Sequence, residues 1–293
     1  MPTLRRLTGA ALAIVSAAGF GTLAIFGRFL YADGVDTFTL LFLRFLFAAS
    51  ILTFILILRR ESLPRGRVLA QLIGMGALGY AGQSFTYLSG IKYASAGLVA
   101  LLLYLYPAIV FVLSVIFLKE KANWVKAAAL AVALVGTALT VGPASGEFLG
   151  VFFAVASALI YSAYIIVGAN VMKQVGAIQS SLVIFASAAL VYGTLTLVNG
   201  AHFPASGSGW LSMAGIVIFA TVIPVTAFLA GIERIGPTNA SLLSTLEPVV
   251  TVLLAAWLFG ERLAPITLVG GGLILAAVIV LTRSEIGQRE SRE

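Results

Sequence analysis

Cysteine is absent from the 293 residues, so the chain has no disulfide, no thiolate metal site and no thiol redox centre. Histidine occurs once, as His202, which leaves no His-rich metal or catalytic cluster. Charge is scarce as well: Asp, Glu, Lys and Arg fill 10% of positions, where a soluble domain carries roughly a quarter. No Gly-x-x-x-x-Gly-Lys-Ser/Thr phosphate loop occurs, so ATP hydrolysis through that motif is excluded. No metal and no cofactor are expected.

Apolar residues fill 60% of positions, and the mean hydropathy is +1.08. A bilayer core takes about 20 apolar helical residues per crossing. Windows of that length occur at 7–28, 37–58, 68–90, 94–118, 124–141, 148–170, 178–198, 209–231, 236–259 and 265–282. The fold class read from them is an all-α integral membrane protein with ten transmembrane helices. Connections are short, so little chain remains for a soluble domain. Arg5 and Arg6 before the first run resemble a signal peptide, but the run is long and has a counterpart later in the chain, so it reads as a retained span.

The pI of about 9.9 reflects position more than a polyanionic partner. With the N-terminus inside, one side holds Arg5, Arg6, Arg59, Arg60, Arg65, Arg67, Lys119, Lys121, Lys126, Lys173, Arg234, Arg283, Arg289 and Arg292. The opposite side holds only Arg28, Lys92 and Arg262. That asymmetry places both termini in the cytoplasm by the positive-inside rule. No nucleic-acid partner is expected; the partners are the lipid bilayer and a small-molecule substrate.

A shift of 141 residues, without a gap, aligns two halves of the chain. Gly9 meets Gly150, Ser16 meets Ser157, Gly27 meets Gly168, Gly74 meets Gly215 and Gly90 meets Gly231. Pro107 meets Pro248, and Glu120 meets Glu261. Agreement of Gly, Pro and Glu in one register says more than matching Leu or Ala. The units are read as 1–141 and 142–293. Five spans is an odd number, so the second copy enters from the opposite side and the repeats are inverted around a central cavity. Two copies in opposite orientations open a shared cavity to either face in turn, as carriers do.

The segment Leu246-Glu247-Pro248 through Trp257-Leu258-Phe259-Gly260-Glu261-Arg262-Leu263 resembles the drug/metabolite transporter superfamily, and within it the EamA-type ten-helix branch. There the penultimate span of each half often carries a mid-helix Pro and ends on an acid. Pro107 and Glu120 repeat the pattern, although Tyr106 stands where the second half has Glu247. The aromatic-rich spans look most like bacterial aromatic amino-acid exporters of the YddG type. The resemblance implies export of amino acids or other metabolites across the bacterial inner membrane.

Polar side chains at helical spacing mark faces turned from lipid. Tyr80, Gln83, Ser84 and Tyr87 form one such stripe; Ser157, Tyr161 and Tyr164 form another, matched by Ser16 and Phe20 in the first span. Ser241, Ser244, Glu247 and Thr251 form a third, and Tyr104 lies beside Pro107. The substrate-cavity candidates are Ser16, Phe20, Tyr80, Gln83, Tyr87, Tyr104, Ser157, Tyr161, Tyr164, Ser244 and Glu247. Ser and Gly on such stripes equally serve close helix packing, and Tyr87 suits an interfacial belt as well as a cavity. The tryptophans Trp124, Trp210 and Trp257 lie near span ends and are left out. Pro107 and Pro248 interrupt the helical ladder as hinges or static bends, and Gly90 and Gly231 let the following loops swing.

Glu247 is the acid expected deep in a span, and it reads as a proton-coupling group, a contact for an ammonium, or a structural hydrogen bond. Arg44 reads as a carboxylate contact or as a partner of Asp33 or Asp36, and His202 as a solvated loop residue. A secondary carrier of amino acids is the leading reading, with cationic drugs or purine-like metabolites coupled to proton exchange as the alternative. One His and one deep acid argue against a membrane enzyme, and no charge ring or repeated filter marks a channel.

Overall fold

The computed structural model describes residues 2–141, 147–260 and 263–290. Glu261, Arg262 and Arg292, which enter the repeat and the charge count, lie outside the described residues, as do the side chains of Arg283 and Arg289.

Among the described residues, long helical segments follow one another and are numbered here in chain order. Helix α1 runs over 2–32 in two pieces, Pro2–Gly21 and Leu23–Ala32; α2 is Thr37–Arg59. Helix α3 covers 66–91 and contains a widened π turn at Met75–Tyr80. Helix α4 consists of Ala96–Leu103 and Tyr106–Phe117, and α5 is Trp124–Val141. Then come α6 (Phe148–Val171), α7 (Ala177–Asn199) and α8 (207–235), the last with a second π turn at Ile218–Val222. Helix α9 covers 237–259 across a tight turn at Ser244–Leu246, and α10 is Pro265–Glu290.

Among the described residues, eight stretches are long and apolar enough to cross a bilayer. One of them, Gly207–Phe259, is 53 residues long and holds both α8 and α9, which part at Gly236, where φ is +81°. That backbone conformation suits glycine. Helix α3 stands outside the set because Gln71, Gln83, Ser84 and Ser89 lower its hydropathy. Large apolar side chains cover the outside, among them Leu197 (87% exposed), Trp257 (79%) and Leu78 (76%). Such a surface is matched to lipid tails, not to water. The protein is an all-helical, multi-pass membrane protein.

The 141-residue spacing recurs in the geometry. Tyr80 closes the π turn of α3, and Thr221, 141 residues on, lies in that of α8. A Cβ built on Gly90 would lie 3.3 Å from the Gly150 carbonyl oxygen, and one built on Gly231 would lie 3.3 Å from that of Gly9. The same crossing therefore occurs twice, α3 against α6 and α8 against α1. Glycine lets the backbones approach at such crossings. Gly90 and Gly231 both have negative φ, and in this conformation they supply close packing at the crossings.

One core joins α2, α3, α4, α6, α7 and α8 around Phe45, Ile165, Phe185 and Phe228; a second joins α1, α5, α9 and α10 around Ala17, Ala133, Leu242 and Ile274. Four tyrosines of the site described next, Tyr80, Tyr104, Tyr106 and Tyr164, belong to the first.

Candidate functional site

Two helices are interrupted midway. In α4 the ladder breaks at Tyr104–Leu105, and in α9 it breaks at Ser244–Leu246. Pro107 and Pro248 sit in the first turn of the piece that follows each break. First-turn N–H groups have no acceptor within the helix, so proline loses nothing there. The prolines thus start a helix piece instead of bending a continuous one, which refines the kink expected from sequence.

Glu247 opens the second piece of α9. The exposed N–H groups of a helix start favour a carboxylate, which accounts for an acid at this depth. Its carboxylate faces the Tyr104 hydroxyl and lies within coulombic reach of Arg44, Tyr80, Tyr87, Tyr106 and Tyr161. Glu247 is deep in the bundle yet only half-buried, so part of its side chain is not covered by protein. Tyr161, Gln83, Ser84, Tyr87 and Phe20 are half-buried in the same way.

Five tyrosines form a continuous arc. The Tyr80 ring lies 5.8 Å from Tyr164, which stacks on Tyr161 at 5.8 Å and 15°. Tyr161 meets Tyr106 edge-on at 4.7 Å, and Tyr106 lies 6.5 Å from Tyr104. Phe45 meets Tyr80 edge-on at 5.3 Å, and Phe228 stacks on Tyr161 at 6.4 Å. Offset and edge-on pairs of this kind stiffen an apolar wall. The Tyr164 hydroxyl is buried and has no hydrogen-bond partner.

Arg44, 4% exposed, closes the far end of the arc. Its Nε donates to Thr221 Oγ1 at 2.5 Å, and its Nη2 donates to the Ala220 carbonyl at 3.1 Å and to the Tyr80 hydroxyl at 3.4 Å. Thr221 and Ala220 belong to the π turn of α8, and a π turn loosens the carbonyl ladder, leaving acceptors for an outside donor. Arg44 does not pair with Asp33 or Asp36, against one of the two expectations. Asp33 accepts from the Ala205 and Ser206 N–H groups at 2.9 and 3.1 Å, and hydrogen bonds from Ser206 hold its carboxyl below the usual range. Asp36 caps α2 through Phe38 N–H (2.8 Å) and Thr39 N–H (3.1 Å). Partial burial works against its charge, but bonds from the Thr39 hydroxyl and backbone outweigh that and hold its carboxyl low. His202 lies in the loop, with Nδ1 3.3 Å from Asp36.

The other candidates divide. Ser157 is fully buried and tied to Gln83: Gln83 Nε2 donates to its Oγ at 3.2 Å, and Oγ donates to the Gln83 carbonyl at 3.1 Å. That pair fastens α3 to α6. Ser16, its match, is buried with no partner, because Pro224 stands 141 residues after Gln83 and offers no side-chain donor or acceptor. Ser244 is buried, donates to the Ala240 carbonyl at 3.0 Å and faces Tyr106. Trp124, Trp210 and Trp257 are exposed. Tyr106 and Thr221 are absent from the sequence-based candidates, although the repeat pairs them with Glu247 and Tyr80. A lateral groove between α2 and α7, lined by Phe42, Leu46, Ala49, Leu182 and Leu190, contains none of these groups.

At one end of the bundle the halves are held together. Thr238 Oγ1 donates to Glu120 Oε2 at 2.8 Å, and a Cβ on Gly236 would sit 3.1 Å from Glu120 Oε1. Glu120 follows α4, and Thr238 starts α9, so the contact joins the two interrupted helices.

An uncharacterized transporter of Archaeoglobus fulgidus is 28% identical over 94% of this chain and 96% of its own. The uncharacterized inner membrane transporter YedA of Escherichia coli is 27% identical over 77% and 75%. A probable terminal-alkyne amino-acid exporter of Streptantibioticus cattleyicolor is 22% identical over 77% of each chain. A crystal structure at 21% identity superposes with a TM-score of 0.83 over 94% of this chain and 98% of the other, and so shares the fold. The EamA-like transporter family matches twice, at residues 7–142 and 148–283. On that double match, the chain belongs to the EamA-like transporter family and is a membrane transporter.

Proposed function

We propose that the chain is a secondary carrier that exports amino acids, aromatic ones among them, across the bacterial inner membrane by alternating access. Its two units, 1–141 and 142–293, stand inverted in the bilayer with both termini in the cytoplasm. The YddG-type aromatic exporters are the subtype it fits. The observation that carries this reading is the tyrosine arc beside Glu247. An apolar wall with hydroxyl tips accepts a flat or extended side chain, and an acid within reach of it accepts an ammonium group. The half-buried state of Glu247, Tyr161 and Gln83 deep in the bundle supports an internal binding space. The two interrupted helices supply loosened backbone where carriers place substrate. The Streptantibioticus relative named as an amino-acid exporter and the inner-membrane YedA support cargo and location. One deep acid without a catalytic partner suits binding better than covalent chemistry.

Purified protein in liposomes loaded with unlabelled phenylalanine tests the reading. External radiolabelled phenylalanine accumulates transiently and saturably by counterflow, and unlabelled amino acids compete. Flux that never saturates marks a channel. Counterflow with a cationic dye or a purine, and with no amino acid, replaces the cargo assignment with the drug or purine reading.

A further inference from the structure

The buried cation and the deep acid of this bundle do not neutralise each other. Arg44 makes its hydrogen bonds through Nε and Nη2, to three neutral oxygens. Among the described residues no carboxylate pairs with it, and Nη1 has no acceptor. Glu247 faces Tyr104, at the other end of the arc. The Arg44 charge reaches the Glu247 carboxylate, and Glu247 in turn lies within coulombic reach of Tyr80, the tyrosine that Arg44 contacts, so the two ends of the row of rings lie near each other. Next to Tyr80 in the arc, the buried Tyr164 hydroxyl lacks a partner, and buried hydroxyls are nearly always satisfied.

A guanidinium with free donors is shaped for a carboxylate, which Nη1 takes with charge-assisted bonds while Nε and Nη2 hold the group in place. A carboxylate at a helix start is shaped for an ammonium. Opposite charges at the two ends of an aromatic row match one small-molecule class: a zwitterion with an apolar side chain. We infer that Arg44 and Glu247 form the two poles of an α-amino-acid site, Arg44 taking the carboxylate and Glu247 the ammonium. The side chain lies along the half-buried Tyr161, and Tyr164, buried behind it, turns its hydroxyl to the bound carboxylate or to water beside it. The inference rests on the amino-acid cargo proposed above. It goes further in requiring both charges on one ligand.

Equilibrium binding to the detergent-purified protein tests it independently of flux. The probes are phenylalanine, phenethylamine (no carboxylate) and 3-phenylpropionate (no ammonium). Removing either charge weakens binding about tenfold or more, about 1.4 kcal/mol. Glu247→Gln weakens phenylalanine and phenethylamine together and leaves 3-phenylpropionate unchanged. Arg44→Lys, which keeps a charge in the core but loses the planar fork, weakens phenylalanine and 3-phenylpropionate and leaves phenethylamine unchanged. A general loss of structure would weaken all three. Phenethylamine binding within about threefold of phenylalanine, or no binding of phenylalanine, overturns the inference. Counterflow of phenylalanine without this charge signature leaves the carrier reading standing and removes the two-pole site; the signature without counterflow does the reverse.

Discussion

Joining residues 120 and 238 stops transport, and cleaving the link restores it. The chain contains no cysteine, so the pair Glu120→Cys and Thr238→Cys reacts alone with a short, reducible bifunctional thiol reagent. The native side chains there are 2.8 Å apart and connect the end of α4 with the start of α9. If the space beside Glu247 opens to the Glu120 face during each cycle, these helices must part once per turnover. Counterflow in the linked protein falls by about tenfold or more, as expected when a gating motion is blocked, and dithiothreitol recovers it. Linked protein that exchanges at full rate would show that the Glu120–Thr238 contact is static. Either single cysteine, treated alike, serves as the control.

Replacing Tyr161 by alanine has the second large effect, on stability and on binding together. Its ring touches Tyr106, Tyr164 and Phe228, at 4.7, 5.8 and 6.4 Å. Truncating a large packed ring costs about 3–5 kcal/mol when the surroundings do not collapse, and aromatic pairs add about 0.5–1.5 kcal/mol each. Tyr161 is half-buried, which places the cost near the lower end. The unfolding midpoint in detergent drops, and half-saturation in counterflow rises by about tenfold or more, because a wall that shapes an apolar seat is gone. Tyr161→Phe keeps the ring contacts and stays close to the native protein in both measurements. Equal damage from the two variants would shift the weight from the ring to the hydroxyl.

Much of the fold is legible in the sequence, because length and apolarity impose it. Helix α2, expected at 37–58, is Thr37–Arg59; α5 is Trp124–Val141, as expected. The 141-residue register picks out Gly9, Gly90, Gly150 and Gly231, and these four glycines make the two matching helix crossings. Local irregularity is less legible. The break at Thr22 and the π turn of α3 carry no proline to announce them, whereas the π turn of α8 is followed directly by Pro224, which has no N–H to donate to the carbonyl four residues back. Helix α6, which matches α1, runs unbroken through the equivalent place.

The candidate site is legible in part. Helical spacing puts Tyr161, Tyr164 and Ser157 near one another, but it does not say whether a face meets a helix or open space. Tyr161 borders the interior space, while Ser157 is fully enclosed against Gln83. Arg44 is harder still. A long side chain takes whatever acceptors lie within reach, and those are freed by a π turn on a helix 177 residues away. Tyr106 is a residue that the repeat itself could have found, since it occupies the position of Glu247.

The central claim, that inverted halves exchange conformations around one site, is tested most directly by distances at both ends of the bundle. The spin-label pairs Ala122→Cys with Arg234→Cys, and Tyr93→Cys with Leu263→Cys, are related by the 141-residue shift. Double electron–electron resonance in liposomes reads each pair with and without phenylalanine. Each pair is expected to show two distance populations, with phenylalanine moving the two pairs in opposite directions, one lengthening as the other shortens. Distances that stay fixed, or that lengthen together, would contradict alternating access.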